Sequence, residues 1–281
     1  MFAVFVLLRR LAMLSATAGI ALVQGVGIPS PRVASPARAS ASVVRVPVPT
    51  LPPPAPGPTG HFSTLPVGAA LLSDADCASR VRKTAEIRPQ NSPFNVPTSA
   101  AAQGGYYARV TGNFDGTTDE IIQWASCKWG IDEDIVRAQA AKESGWFQQG
   151  RGDWTTDATR CVPGHGLGVD GRPGQCPESI GMMQTRYPYM QAAFPMATNS
   201  TAYNLDEALA ARRSCFEGNE TWLNTVERGQ NYAAGDIWGC VGMWFAGRWH
   251  TADANTYVAA VQDYLNRRIW ETPDFRNWTP A

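Results

Sequence analysis

Lysine is almost missing from this chain: Lys83, Lys128 and Lys142 are the only three among 24 basic residues. Histidine is equally scarce, with His61, His165 and His250 widely scattered, and no two of the six cysteines lie within four residues of each other. Structural zinc sites use closely spaced Cys and His ligands, so no metal centre is expected. Acid is absent from residues 1–60, which hold Arg9, Arg10, Arg32, Arg38 and Arg45, and the remainder of the chain carries an acidic excess of five. A nucleic-acid binder that works by counterion release shows a basic domain, so a folded part with net −5 argues against that class. Alternating β-branched runs are also missing beyond the N-terminal region, which predicts a mainly α domain. With 44% hydrophobic and 17% charged residues, the 281-residue chain has enough apolar material for a proper core.

Residues 1–39 read as an export signal. Arg9 and Arg10 precede the mostly apolar run Leu11 to Ile28, and Ala37-Arg38-Ala39 offers small residues for cleavage before Ser40. The competing reading is a retained membrane anchor, because the run is just long enough to span when tilted. The arginine pair resembles a twin-arginine signal, with poorly matching flanks. A Pro- and Ala-rich tether is expected over 40–70, since ten of the thirty-two residues from Pro29 to Gly60 are proline. An irregular extension then covers 71–116, and the main domain covers 117–281.

Cys77, Cys127, Cys161, Cys176, Cys215 and Cys240 make an even count in a chain that reads as exported, so three disulfides are expected. Sequence alone leaves fifteen connectivities open. Cys161 to Cys176 is the preferred single pair, because the Gly-, Asp- and Thr-rich stretch 150–178 has few other sources of order as a loop. A Cys161–His165 nucleophile is set aside, since an oxidised cysteine is no thiolate.

Helical signals begin at Thr117. The capping box Thr117-x-x-Glu120 precedes Ile121, Ile122, Trp124 and Cys127 at helical spacing, with Gly130 as the stop, and predicts a helix over 118–129. Asp132 starts a second helix running to about Ser144, on which Val136, Gln139, Ala140 and Glu143 share one stripe. Further helices are expected over 201–215, 219–229, 236–247 and 255–270, the last with Tyr257, Val261, Tyr264, Leu265 and Ile269 on its apolar face.

Glu143 is the first candidate for chemistry. A carboxyl closing a buried stripe beside Trp146 loses hydration, which disfavours its charged form and suits a general acid. Its position near a helix C-terminus acts in the same direction. Gly181-Met182-Met183-Gln184 is the second candidate, combining close backbone approach, flexible thioethers and a donor–acceptor amide. Ten tryptophans fit a sugar-binding groove, since pyranose rings lie flat on aromatic faces, although core packing claims most of them. Trp146 and Trp154 are the expected cleft residues.

Together, Glu143-Ser144-Gly145-Trp146 and Gly181-Met182-Met183-Gln184 resemble the two signature motifs of the soluble lytic transglycosylases, which share a lysozyme-like fold with goose-type lysozymes. The resemblance covers about residues 117–270. It implies a lysozyme-like helical domain, to which this chain adds the disulfide-closed Cys161 to Cys176 loop as an insertion, with Glu143 as the single catalytic acid and base, Ser144 as an orienting neighbour, and Met183 and Gln184 lining the cleft. Three departures stand out. The 41 positions from Glu143 to Gln184 exceed the family's usual spacing. The family's later Ala-Tyr-Asn motif survives only as Met243-Trp244-Phe245-Ala246-Gly247, and Trp244 has no hydroxyl to reach the acid, so Tyr187 is the expected substitute. Asp153, ten residues from Glu143, is available as a second carboxylate, with Asp157 behind it.

The expected function is cleavage of the MurNAc–GlcNAc β-1,4 bond of peptidoglycan to leave 1,6-anhydroMurNAc ends, with no cofactor or metal. The partner is then a peptidoglycan glycan strand, not a nucleic acid, and a membrane is involved only if the N-terminal segment is kept as an anchor. Two rivals remain: a lysozyme-type hydrolase in which Asp153 activates water, and a non-catalytic wall-binding module.

Overall fold

The computed structural model describes residues 60–98 and 104–278. The expected signal or anchor and the tether as far as residue 59 lie outside the described residues. A short helix α1 (Asp74–Ala78), capped by Ser73, is bound to the next helix by the disulfide Cys77–Cys127. The capping box then acts as its spacing requires. The Thr117 hydroxyl accepts from the Glu120 amide, and α2 (Thr118–Trp129) ends where Gly130 turns left-handed. Asp132 caps α3 (Glu133–Ser144) by accepting from the Asp134 and Ile135 amides, and two acids in its first turn favour the helix dipole.

Residues 150–178 depart from the expected loop. They supply two strands of a three-stranded antiparallel sheet: β1 (Arg151–Thr155), β2 (Cys176–Ile180) and β3 (Thr185–Arg186), in that order. Gly152 faces Ser179 and Trp154 faces Pro177 across the first pair. Alternation gave no warning, because every residue of β2 is buried and a strand covered on both faces shows no period of two. The Cys161–Cys176 disulfide closes the intervening loop as expected.

After α4 (Met196–Asn199), the central helix α5 (Thr201–Phe216) is buried along its whole length. Its polar side chains therefore need internal partners. Asp206 accepts from Lys128 Nζ at 2.7 Å, from Trp129 Nε1 at 2.6 Å and from the Gly112 amide at 3.0 Å. Arg213 donates to the carbonyls of Leu65 and Gly130. The expected helix over 219–229 is instead two 3₁₀ turns, Thr221–Leu223 and Val226–Arg228. Thr221, Asn224 and Thr225 favour local turns over helix, and the Cys215–Cys240 disulfide holds the ends of the segment. Helices α6 (Ile237–Ala246), α7 (Ala252–Asn266) and α8 (Pro273–Asn277) complete the chain. The helix expected over 255–270 thus starts earlier and stops before Arg268, which adopts a left-handed φ of 43°.

The segment expected as an irregular extension has little helix but belongs to the core. Phe62, Cys77, Val110 and Phe114 are buried in the main apolar cluster. The fold has therefore begun by Gly60, inside the stretch expected as tether. The domain is mainly helical, all six cysteines are paired, and no helix among the described residues is long and apolar enough to cross a membrane.

Candidate active site

Helix α3 delivers Glu143 to the floor of a cleft of about 890 Å³, which it shares with Asp153, Gln184 and Trp244. The stripe predicted from the sequence is real, since Val136, Gln139 and Ala140 below Glu143 are fully buried. Although part of Glu143 opens to the cleft, its carboxyl is heavily desolvated. Burial pushes its pKa up to about 7, against opposing contributions from the Tyr257 hydroxyl, the Arg212 charge and the Gln139 amide, while the Asp153 charge adds to the rise.

Tyr257 on α7 donates to Glu143 Oε1 and is the orienting hydroxyl. Tyr187, the residue expected in that role, instead packs edge-on against Phe194 with ring centres 5.3 Å apart. Sequence reading assigned Tyr257 to an apolar helix face. The available signal was chemical: a buried tyrosine hydroxyl needs a partner. Phe245 stacks on the Tyr257 ring with centres 4.7 Å apart. Arg212 was also missed. It is fully buried on α5, and none of its three guanidinium nitrogens has a hydrogen-bond partner among the described residues. Burial lowers its pKa to about 10, while the Glu143 charge acts to hold its proton.

The second motif forms a turn clamped to the end of α3. Ser144 Oγ donates to the Met182 carbonyl at 2.9 Å and accepts from the Phe147 amide at 3.2 Å. Ser144 therefore joins the two motifs through their backbones. Asn204, another residue the sequence reading missed, donates to the Ile180 carbonyl and accepts from the Met183 amide at 2.8 Å. Gly181 is required here: its φ is +92°, and a Cβ would lie 2.2 Å from Asn204 Nδ2. Gln184 lines the cleft as expected, with a left-handed φ of 53° and its Nε2 donating to the Gly181 carbonyl.

Three expected cleft residues, Met183, Trp146 and Trp154, are elsewhere. Met183 is fully buried, and what it offers is its carbonyl, which accepts from Trp244 Nε1 at 3.0 Å. Trp146 is 1% exposed, donates to the Arg137 carbonyl and packs edge-on against Phe275, so it is core. Burial removes its large apolar surface from water, which is favourable once its indole N–H has a partner. Trp154 lies beyond the cleft lining, with the Arg172 guanidinium 4.2 Å from its ring centre.

Asp153 is better fixed than its loop-like sequence implied. It sits on β1 at a left-handed φ of 49°, accepts from the Ser179 hydroxyl and lies 3.6 Å from Arg186. Arg186 is itself held by Glu178, whose pKa falls to about 2, chiefly through the Arg160 hydrogen bond. Asp157 is exposed and caps the turn at Thr159, with no part in the cleft lining. Three non-glycine residues near the motifs, Trp146, Asp153 and Gln184, have positive φ, an uncommon conformation that concentrates at functional sites. Among the described residues, His61, Glu133 and Asp134 come close enough to share an ion, but Arg82 and Arg137 occupy Glu133, and Arg137 and Arg268 occupy Asp134. No family model, curated protein or solved structure matches this chain.

Proposed function

We propose that this chain is a peptidoglycan lytic transglycosylase of lysozyme-like fold that uses Glu143 as both acid and base. The observation carrying the proposal is a carboxyl with a pKa near 7, hydrogen-bonded by Tyr257, on the floor of a cleft large enough for several sugars. Such a group is about half protonated at neutral pH, where a general acid works best. Protonated Glu143 donates to the glycosidic oxygen as the C1–O bond of MurNAc breaks through an oxocarbenium-like state. The resulting carboxylate then takes the proton of the MurNAc C6 hydroxyl, whose oxygen bonds to C1. The substrate supplies the nucleophile, so no water is consumed. Three disulfides fit an oxidising compartment, in keeping with export to the wall.

Asp153 favours a second reading. Its carboxylate shares the cleft with Glu143 and is held by Ser179 and Arg186, so a hydrolase with an acid–base pair has a candidate base. Mass spectrometry of digested glycan strands after borohydride reduction separates the two. Anhydro ends that take up no hydride support the transglycosylase. Products reduced at a new MurNAc end overturn it in favour of hydrolysis, and an absence of products from intact wall material overturns both.

A further inference from the structure

The cleft that holds Glu143 is also lined by Trp222, Arg228 and Arg248, none of which belongs to either motif. They stand on or beside the segment between Cys215 and Cys240, whose disulfide packs with Phe216, Leu223, Met243 and Trp249 into a small apolar core of its own. Hydrogen bonds to backbone carbonyls stiffen this mount. The Trp249 amide donates to the Arg228 carbonyl at 2.6 Å, and the Tyr232 hydroxyl donates to the Cys215 carbonyl at 2.5 Å. Trp222 is 43% exposed, yet its ring is not free to swing: Nε1 donates to Glu220 at 2.5 Å, and the Arg228 guanidinium lies 4.8 Å from the ring centre. An exposed indole fixed at its edge is a platform for a sugar ring.

The two arginines beside it make no ion pair among the described residues. Arg228 donates to the Gly247 carbonyl and Arg248 to the Glu227 carbonyl, both neutral acceptors. The Glu227 carboxylate is turned back onto its own amide and the Thr225 hydroxyl, and its charge offsets part of the field of both arginines. A planar guanidinium with open donors pairs best with a carboxylate.

We propose that Trp222, Arg228 and Arg248 form a second recognition site in the cleft for a carboxylate-bearing sugar, with the ring on the indole and the acid on the arginines. This rests on the peptidoglycan reading, in which the acid is either the lactyl group of the sugar or the peptide attached to it. Titration calorimetry on the full chain carrying Glu143→Gln, which prevents turnover, tests it with three ligands: neutral chito-oligosaccharide, peptide-free strands and peptide-bearing strands. Adding Arg248→Gln should weaken binding of acidic strands relative to the neutral ligand about tenfold, as expected for one charge-assisted hydrogen bond. The difference should shrink at high salt. Adding Trp222→Ala should weaken all three. A shift seen only with peptide-free strands assigns the free lactyl carboxylate, one seen only with peptide-bearing strands, whose lactyl acid is an uncharged amide, assigns the peptide, and one seen with both assigns a site that takes either acid. Equal weakening of neutral and acidic ligands by Arg248→Gln overturns this site alone. Failure of the Glu143→Gln chain to bind any of the three, together with a wild type inactive on wall material, overturns the peptidoglycan reading itself.

Discussion

At the scale of single residues, the site depends on the balance around one carboxyl. Glu143→Gln keeps the shape but has no acidic proton, so turnover should fall at least about 10²-fold. The same change should stabilise the fold in a pH-dependent way. Glu143 has an ordinary pKa of 4.5 and a folded one of about 7. Between those values the folded chain binds the extra proton, so stability declines as pH rises through the window, by roughly 1–3 kcal/mol once the carboxylate is charged. Thermal unfolding should show a larger gain for the variant near pH 8 than near pH 5. Neighbouring groups set the pH profile of the wild type. The Tyr257 hydroxyl and the Arg212 charge hold the Glu143 pKa down, and the Asp153 charge raises it. Tyr257→Phe and Arg212→Met should therefore move the alkaline limb of kcat/KM to higher pH, and Asp153→Asn should move it lower. Limbs that do not move would remove these residues from the tuning of the acid.

At the scale of elements, the buried helix α5 supports the turn that carries Gln184. Asn204 donates to Ile180, Thr185 and Ala197 and accepts from the Met183 amide. Its truncation leaves several buried backbone groups unpaired. Asn204→Ala should cost roughly 3 kcal/mol in a denaturant titration and lower kcat, because Gln184 and the carbonyl that anchors Trp244 both lie on this turn. Gly181→Ala should be comparably harmful, since the new methyl and Asn204 compete for the same volume. A neutral outcome for both would mean that the turn is held by other contacts.

At the scale of the whole molecule, the polypeptide before the first long helix is structural. Arg88 Nε donates to the Gly145 carbonyl at 2.8 Å, and its guanidinium lies over the rings of Phe147 and Phe275. Asn91 Nδ2 donates to the Trp146 carbonyl at 2.7 Å, and its Oδ1 accepts from the Gln148 amide. These residues brace the turn directly after Glu143. A chain beginning at Thr117 loses them along with the Cys77–Cys127 disulfide, whose removal alone typically costs about 2–5 kcal/mol. That truncation should give no cooperative thermal transition, whereas a chain beginning near Gly60 should unfold cooperatively.

Local signals alone determined the helices with good caps. Thr117, Asp132 and the stop at Gly130 are read from neighbouring residues, as is the stripe that ends in Glu143, because a cap and a 3.6-residue period are local properties. The pair Cys161–Cys176 was legible for the same reason, being close in sequence within a stretch poor in other order. Tertiary structure decided what long-range packing decides. It selected Tyr257, 114 positions from Glu143, as the hydroxyl on the acid. It sent Trp146 and Met183 into the core, and it paired β1 with β2, whose burial on both faces erased its alternation. It also brought the unpaired Arg212 charge beside a carboxyl on another helix, and so the titration of Glu143 is a property of the packed domain, since its cause is desolvation and through-space charge that no sequence window contains.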